Sequence, residues 1–182
     1  INLIIINSIL TYLNLNNQNL EFSILLISQI IILLSFLLFN FPSAKIFLGD
    51  SGAYTMGALT SLNTIITNNL NPNISSFFFC SLLFYLFFEV FFSFLRKLSQ
   101  NKSPIYPDDK HLHMLSFYKI SNIYEKNKAN YLNSLIINIF YLILIIPGLY
   151  ILEDPKLSRY WFFILLLIYL VIYSRLYRLI KN

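Results

Sequence analysis

The residues able to do chemistry gather in two stretches of this chain. The first reads Asn40-Phe-Pro-Ser-Ala-Lys-Ile-Phe-Leu-Gly-Asp-Ser-Gly52. Three of the four glycines, Gly49, Gly52 and Gly57, fall in or just after it. Gly49 and Gly52 flank Asp50, so the backbone can turn sharply and approach a ligand closely. Residues 51–53 then open a helix whose free N–H groups make an anion site. A carboxylate placed there can hold Mg²⁺, with phosphate oxygens and water filling the other positions. The alternative is that Asp50 or Ser51 caps the helix.

The second stretch is Ser103-Pro-Ile-Tyr-Pro-Asp-Asp-Lys-His-Leu-His113. It carries both histidines of the chain, His111 and His113, beside Asp108, Asp109 and Lys110. Imidazole can bind phosphate, ligate metal or move a proton. Pro104 and Pro107 hold the approach extended. The alternative is an exposed loop whose histidines do nothing.

What must position these loops is a membrane. Of 182 residues, 57% are hydrophobic and 12% charged, where a soluble domain carries roughly 25% charge. This composition excludes a disordered chain, a nucleic-acid-binding module and an ordinary soluble enzyme. Cys80 stands alone, so neither a disulfide framework nor a thiolate metal site can form within the chain. A crossing helix needs about 20 mostly apolar residues. Residues 22–39, 75–95, 131–151 and 160–179 meet that need, and 53–68 do so less cleanly because of Thr55, Thr60, Ser61, Asn63 and Thr64. In that last stretch Ala53, Gly57 and Ser61 recur every fourth position, as in a helix packed tightly between neighbours. Residues 1–13 read as the end of a further span. The expected fold is all-α, a polytopic transmembrane helix bundle of five to six spans forming a single membrane domain over 1–182.

Basic residues set the sidedness. With loops 40–52 and 96–130 and the C-terminal tail inside, every one of the 13 lysines and arginines except Lys156 and Arg159 is cytoplasmic. Residues 114–128 mix apolar positions with Lys119, Lys126 and Lys128, the pattern of a helix lying on an anionic leaflet. Pro147 is expected to kink its span, and Trp161 to anchor at the interface. Glu89, inside an apolar run, is an ionisable residue at membrane depth. Two turns from Arg96, it is expected to make a structural hydrogen bond across the bundle.

The first loop resembles the N-x-P-[AS]-A/S-K-I-F-[LM]-G-D-[ST]-G loop of the polyprenyl-phosphate N-acetylhexosamine-1-phosphate transferases, glycosyltransferase family 4. The second resembles their S-P-[FI]-x-x-D-[RK]-x-H-[IL]-H-H loop, and Glu89 and Arg96-Lys97 fit the family pattern. The likeness covers residues 20 to 125. It implies transfer of a sugar-1-phosphate from a UDP-N-acetylhexosamine to a polyprenyl phosphate lipid, releasing UMP at the inner face of a bacterial cytoplasmic membrane. By the same likeness Asp50, His111 and His113 are catalytic, and Asp50 ligates Mg²⁺ or Mn²⁺. Phe47 stacks on uracil, and Asn40, Lys45, Gly49 and Lys110 join it in binding substrate. The partners implied are the nucleotide sugar, the lipid and a second copy as a homodimer, with no nucleic acid.

The chain departs from the family in three places. Met114 stands where many relatives have another histidine, which points away from the muramoyl-pentapeptide branch and toward O-antigen or teichoic acid initiation. Asp109 occupies a usual Arg/Lys position, with Lys110 one step later. The family's Asp-Asp-x-x-Asp and Asn-x-x-x-Asn-x-x-Asp-Gly motifs are absent, and Asp108-Asp109 is no substitute. The chain opens at Ile1 in an apolar stretch with no basic segment before it, so both motifs are expected upstream, in a longer enzyme of which this is the C-terminal part. The chain alone is then expected to be inactive. A transporter fragment using Glu89, or a non-catalytic scaffold, are the competing readings.

Overall fold

Long apolar runs without glycine or proline leave the backbone one inexpensive solution in lipid, the helix, which satisfies its own N–H and C=O groups. A computed structural model describes residues 1–106 and 108–181. Pro107, expected to hold the second loop extended, lies outside them. The helices are α1 (Asn2–Asn16), α2 (Leu20–Asn40), α3 (Gly49–Leu70), α4 (Ser76–Ser99), α5 (Leu112–Ser121), α6 (Lys126–Tyr150) and α7 (Pro155–Lys181), and the described residues hold no strand. The all-α bundle expected from hydropathy is what forms.

Four helices, α2, α4, α6 and α7, are long and apolar enough to cross a membrane. The fifth expected span, within α3, has the length but not the apolarity. Its buried face is polar: Thr60, Asn63, Thr64 and Thr67. Asn63 and Thr67, with Asn71 at the helix end, pair with α1 and α2, while Thr60 and Thr64 bond carbonyls of their own helix. Asn63 Nδ2 donates to Asn7 Oδ1 at 3.2 Å and Gln29 Oε1 at 2.6 Å. Asn14 Nδ2 donates to Thr67 Oγ1 at 2.9 Å, and Asn71 Nδ2 to Asn14 Oδ1 at 3.3 Å. The stripe Ala53, Gly57 and Ser61, expected at a tight helix contact, is exposed instead. Nothing lies within 4 Å of where a Gly57 Cβ would sit. Side-chain hydrogen bonding, not small-residue packing, sets which face of α3 turns inward.

Around α4, α6 and α7 the core is conventional, with Phe78, Leu82, Ile145 and Leu165 fully buried. Helix α6 continues through Pro147 to Tyr150. Trp161 donates its indole N–H to the Leu144 carbonyl at 3.2 Å, so this tryptophan has a partner inside the bundle.

The short turns share one end of the bundle. Asn71 at the end of α3 bonds Asn14 near the end of α1, and Ser75 N–H donates to Leu152 O at 2.8 Å across the α3–α4 and α6–α7 turns. The two long loops share the other end. The Phe41 ring meets Tyr131 edge-on at 6.2 Å, and Asn133 Nδ2 donates to His113 O at 2.9 Å. Tyr131 and Asn133 both lie in the first turns of α6, so a single helix carries both loops.

The expected interfacial helix over 114–128 is two pieces. Helix α5 stops at Ser121, where Ile120 O accepts the N–H groups of both Ile123 and Tyr124. Lys126 and Lys128 already belong to α6. Leu112 and Leu115 are buried, and α5 packs on α6 and α7.

Candidate active site

The first loop folds back on itself. Asn40 Oδ1 accepts the Ile46 N–H at 3.3 Å, and Lys45 N–H donates to Phe39 O at 3.3 Å. Asn40, expected to bind substrate, therefore closes its own loop. Gly49 sits at φ +68°, in the left-handed region where a Cβ is costly. A Cβ on Gly52 would lie 2.7 Å from Leu48 Cγ. These two glycines let the chain reverse directly into α3, which begins at Gly49 rather than at residues 51–53.

Asp50 occupies the first turn of α3, and no side chain caps that helix. The capping alternative is therefore not what forms. The Asp50 carboxylate is exposed and has no hydrogen bond or ion pair among the described residues. Phe47 is 94% exposed, an extreme for an aromatic ring, and Lys45 is exposed beside it. Four residues expected to meet substrate, Lys45, Phe47, Gly49 and Asp50, thus stand on one open loop.

The second loop is held by the body of the bundle. Lys97 Nζ donates to the carbonyls of Pro104 at 3.3 Å and Tyr106 at 2.7 Å. Arg96 pairs with Asp108 at 2.9 Å. Lys110 N–H donates to Asp108 Oδ1 at 3.3 Å, and Tyr173 OH from α7 donates to Lys110 O at 3.0 Å. The Lys110 ammonium sits 5.8 Å from the centre of the Tyr177 ring. Asp109 accepts from Tyr118 OH at 3.1 Å.

His111 and His113 stack, with ring centroids 5.6 Å apart. Beneath them lies Glu89, 7% exposed. Its Oε1 accepts the Leu112 N–H at 2.7 Å and lies 3.1 Å from His111 Nδ1 and 3.7 Å from His113 Nδ1. Its Oε2 accepts from Tyr169 OH of α7 at 2.7 Å. The expected bond across the bundle is present, and the same carboxylate also grips the His loop. That second attachment escapes sequence reading, because Glu89 stands 22 residues before His111 and 80 before Tyr169.

Local charge tunes two groups of this loop. Burial alone would raise the Asp108 carboxyl, but its bond to Arg96, the Arg96 charge, the Lys110 amide and Lys97 together hold it below the usual carboxylate range. Burial lowers His113; Glu89 pulls the other way, and His111 adds to the fall. The net result is below the ordinary imidazole value.

The residues present fit a magnesium ion in one manner only. Among the described residues no three His, Cys, Asp or Glu side chains converge as a metal cage. Mg²⁺ commonly takes one or two carboxylates and leaves its other positions to phosphate and water. The unpartnered Asp50 carboxylate suits that use.

Residues 1–68, which include the whole first loop, match the family model described as Glycosyl transferase family 4. Over these residues the chain is similar to glycosyl transferase family 4. A curated relative, the undecaprenyl-phosphate alpha-N-acetylglucosaminyl 1-phosphate transferase of Thermotoga maritima, is 34% identical over 113 residues, or 62% of this chain. The match spans about a third of that relative's length, 34%. No solved structure matches. The family-model match stops within α3, so the His loop lies outside it.

Proposed function

We propose that the protein containing this chain transfers a sugar-1-phosphate from a UDP-N-acetylhexosamine to polyprenyl phosphate, at the cytoplasmic face of a bacterial inner membrane, as the first step of an envelope glycan. The observation that carries this reading is the attachment of both motif loops to neighbouring turns of α6, at one end of the bundle. An oxygen of the lipid phosphate bonds to the β-phosphorus of the nucleotide sugar. The bond from that phosphorus to the bridging oxygen breaks, and UMP leaves.

Phosphoryl transfer asks a protein mainly for positioning and charge neutralisation. The exposed Phe47 ring offers a stacking platform for uracil, and Lys45 a positive charge near the phosphates. The free N–H groups at the start of α3 favour an anion there. His111 and His113 meet the diphosphate or sugar, while Lys110 adds charge beside them. Asp50 would hold Mg²⁺, which when bound neutralises phosphate charge and orients the reacting groups. The missing acidic motifs belong to the remainder of the enzyme, so this chain by itself has no turnover. The pairing of copies into a homodimer is part of the same reading.

Intact protein in lipid nanodiscs, given polyprenyl phosphate, Mg²⁺ and UDP-N-acetylglucosamine or UDP-N-acetylgalactosamine, should release UMP and form the lipid diphospho-sugar. Asp50→Asn should abolish that release. Wild-type turnover in the variant would remove Asp50 from the metal site. Absence of product with every nucleotide sugar would remove the reaction. The transporter reading loses its candidate group, because both oxygens of Glu89 are taken by protein donors.

A further inference from the structure

Glu89 is the meeting point of three elements. It projects from α4, accepts a hydrogen bond from the first amide of α5 at Leu112, faces His111 Nδ1, and accepts a hydrogen bond from the Tyr169 hydroxyl of α7. A carboxylate has only acceptors to offer. An imidazole nitrogen 3.1 Å from it must therefore be the one bearing hydrogen. The other ring nitrogen, His111 Nε2, has its nearest acidic neighbour in Asp108 Oδ1 at 3.9 Å, beyond hydrogen-bonding distance.

We propose that Glu89 is a positioning residue for His111: it fixes the proton on Nδ1 and leaves Nε2 as a lone-pair acceptor available to the reacting groups. The proposal deepens the transferase reading and rests on it for the use made of that lone pair. The tautomer itself stands on geometry alone. A hydrogen bond made by one ring nitrogen decides the state of the other, and a carboxylate behind a histidine also fixes the ring's orientation. The Leu112 amide shares the same oxygen, so Glu89 sets the start of α5 and the His111 ring together. Tyr169 occupies the second oxygen, so both oxygens of the carboxylate have partners.

The test is ¹⁵N-histidine NMR of the full chain in lipid nanodiscs at neutral pH, with His111 assigned through His111→Gln. Hydrogen on Nδ1 and a bare Nε2 are expected. Glu89→Gln, whose carbonyl can still accept from both Leu112 N–H and His111, should keep that tautomer. Glu89→Leu should convert most of the population to the Nε2–H form. Tyr169→Phe removes the other hydrogen bond of the same carboxylate and should leave the His111 signals in place. Hydrogen on Nε2 in the wild type, on one or both nitrogens, overturns the proposal. So does a tautomer unmoved in Glu89→Leu. Because this readout needs no turnover, its failure is distinguishable from failure of the transferase reading. In the intact enzyme, Glu89→Leu should lower kcat at least ten-fold with KM for the nucleotide sugar within about two-fold. Glu89→Gln should recover most of the loss.

Discussion

The Arg96 guanidinium lies 2.9 Å from the Asp108 carboxylate, with the Arg96 side chain 7% exposed and that of Asp108 20% exposed. This pair ties the last turn of α4 to the loop three residues before His111. Arg96 also donates to Ser93 Oγ at 3.2 Å, while its Nε and Nη1 have no partner among the described residues. A buried guanidinium that loses its one carboxylate is left uncompensated, and that loss is the costly kind.

Asp108→Asn should therefore loosen the His loop. Amide hydrogen exchange at Lys110 and Leu112 should accelerate roughly ten-fold, about 1.4 kcal/mol of local opening. Exchange rates equal to wild type would mean that Lys97, Tyr173 and Glu89 hold the loop without the Arg96–Asp108 pair. The depressed Asp108 carboxyl gives the same prediction a pH sign. Its stabilisation is complete above the unfolded value near ~3.9 and is lost as pH falls through the lower folded value. Neutral and mildly acidic buffers should leave the loop equally protected.

His113 titrates in the other sense. Its folded value is lowered, so the unfolded chain takes up the proton first. As pH falls through ~6.5 toward the folded value, the folded state loses stability relative to the unfolded one. An NMR titration should find the His113 midpoint below that value, with the ring neutral at pH 7. A midpoint above it would show that Glu89 outweighs burial.

Asp50 and Phe47 make no contact that the fold depends on. Asp50→Asn and Phe47→Ala should each leave thermal unfolding within about 0.5 kcal/mol of wild type. In the intact enzyme the first abolishes turnover. The second raises KM for the nucleotide sugar about ten-fold, since base–aromatic stacking is worth roughly 1–3 kcal/mol. A Phe47→Ala enzyme with unchanged KM would place the uracil elsewhere.

The buried amides between α1 and α3 offer a double-mutant cycle. Interhelical hydrogen bonds in membranes average about 0.6 kcal/mol, so Asn14→Ala and Asn71→Ala should show a coupling of that order in detergent unfolding. A coupling near zero would mean that Asn19 Nδ2, the other donor to Asn14 Oδ1, satisfies that oxygen without Asn71.

The spans were legible wherever a long apolar run makes the helix, as in 22–39 and 75–95. Helix α3 was legible as an element but not in its inward face. A recurrence of small residues suggested packing, whereas Asn63, Thr67 and Asn71 turn inward because their partners Asn7 and Asn14 wait on α1. The break between α5 and α6 was hidden because apolar and basic residues keep the same mixture across it. At the site, Asp50 and the two histidines were marked by residue type and local spacing. The cleft of about 780 Å³ between Pro42–Ala44 and Ile123–Tyr131, and the grip of Glu89 on His111, arise from residues far apart in the chain. No local pattern announces such pairings.

The start of α6 has a mechanical consequence. With Tyr131 bearing on the Phe41 ring and Asn133 holding the His113 carbonyl, a tilt of this one rod displaces both rims in step. A displacement of either rim is therefore felt at the other without any direct link between Asp50 and the imidazoles.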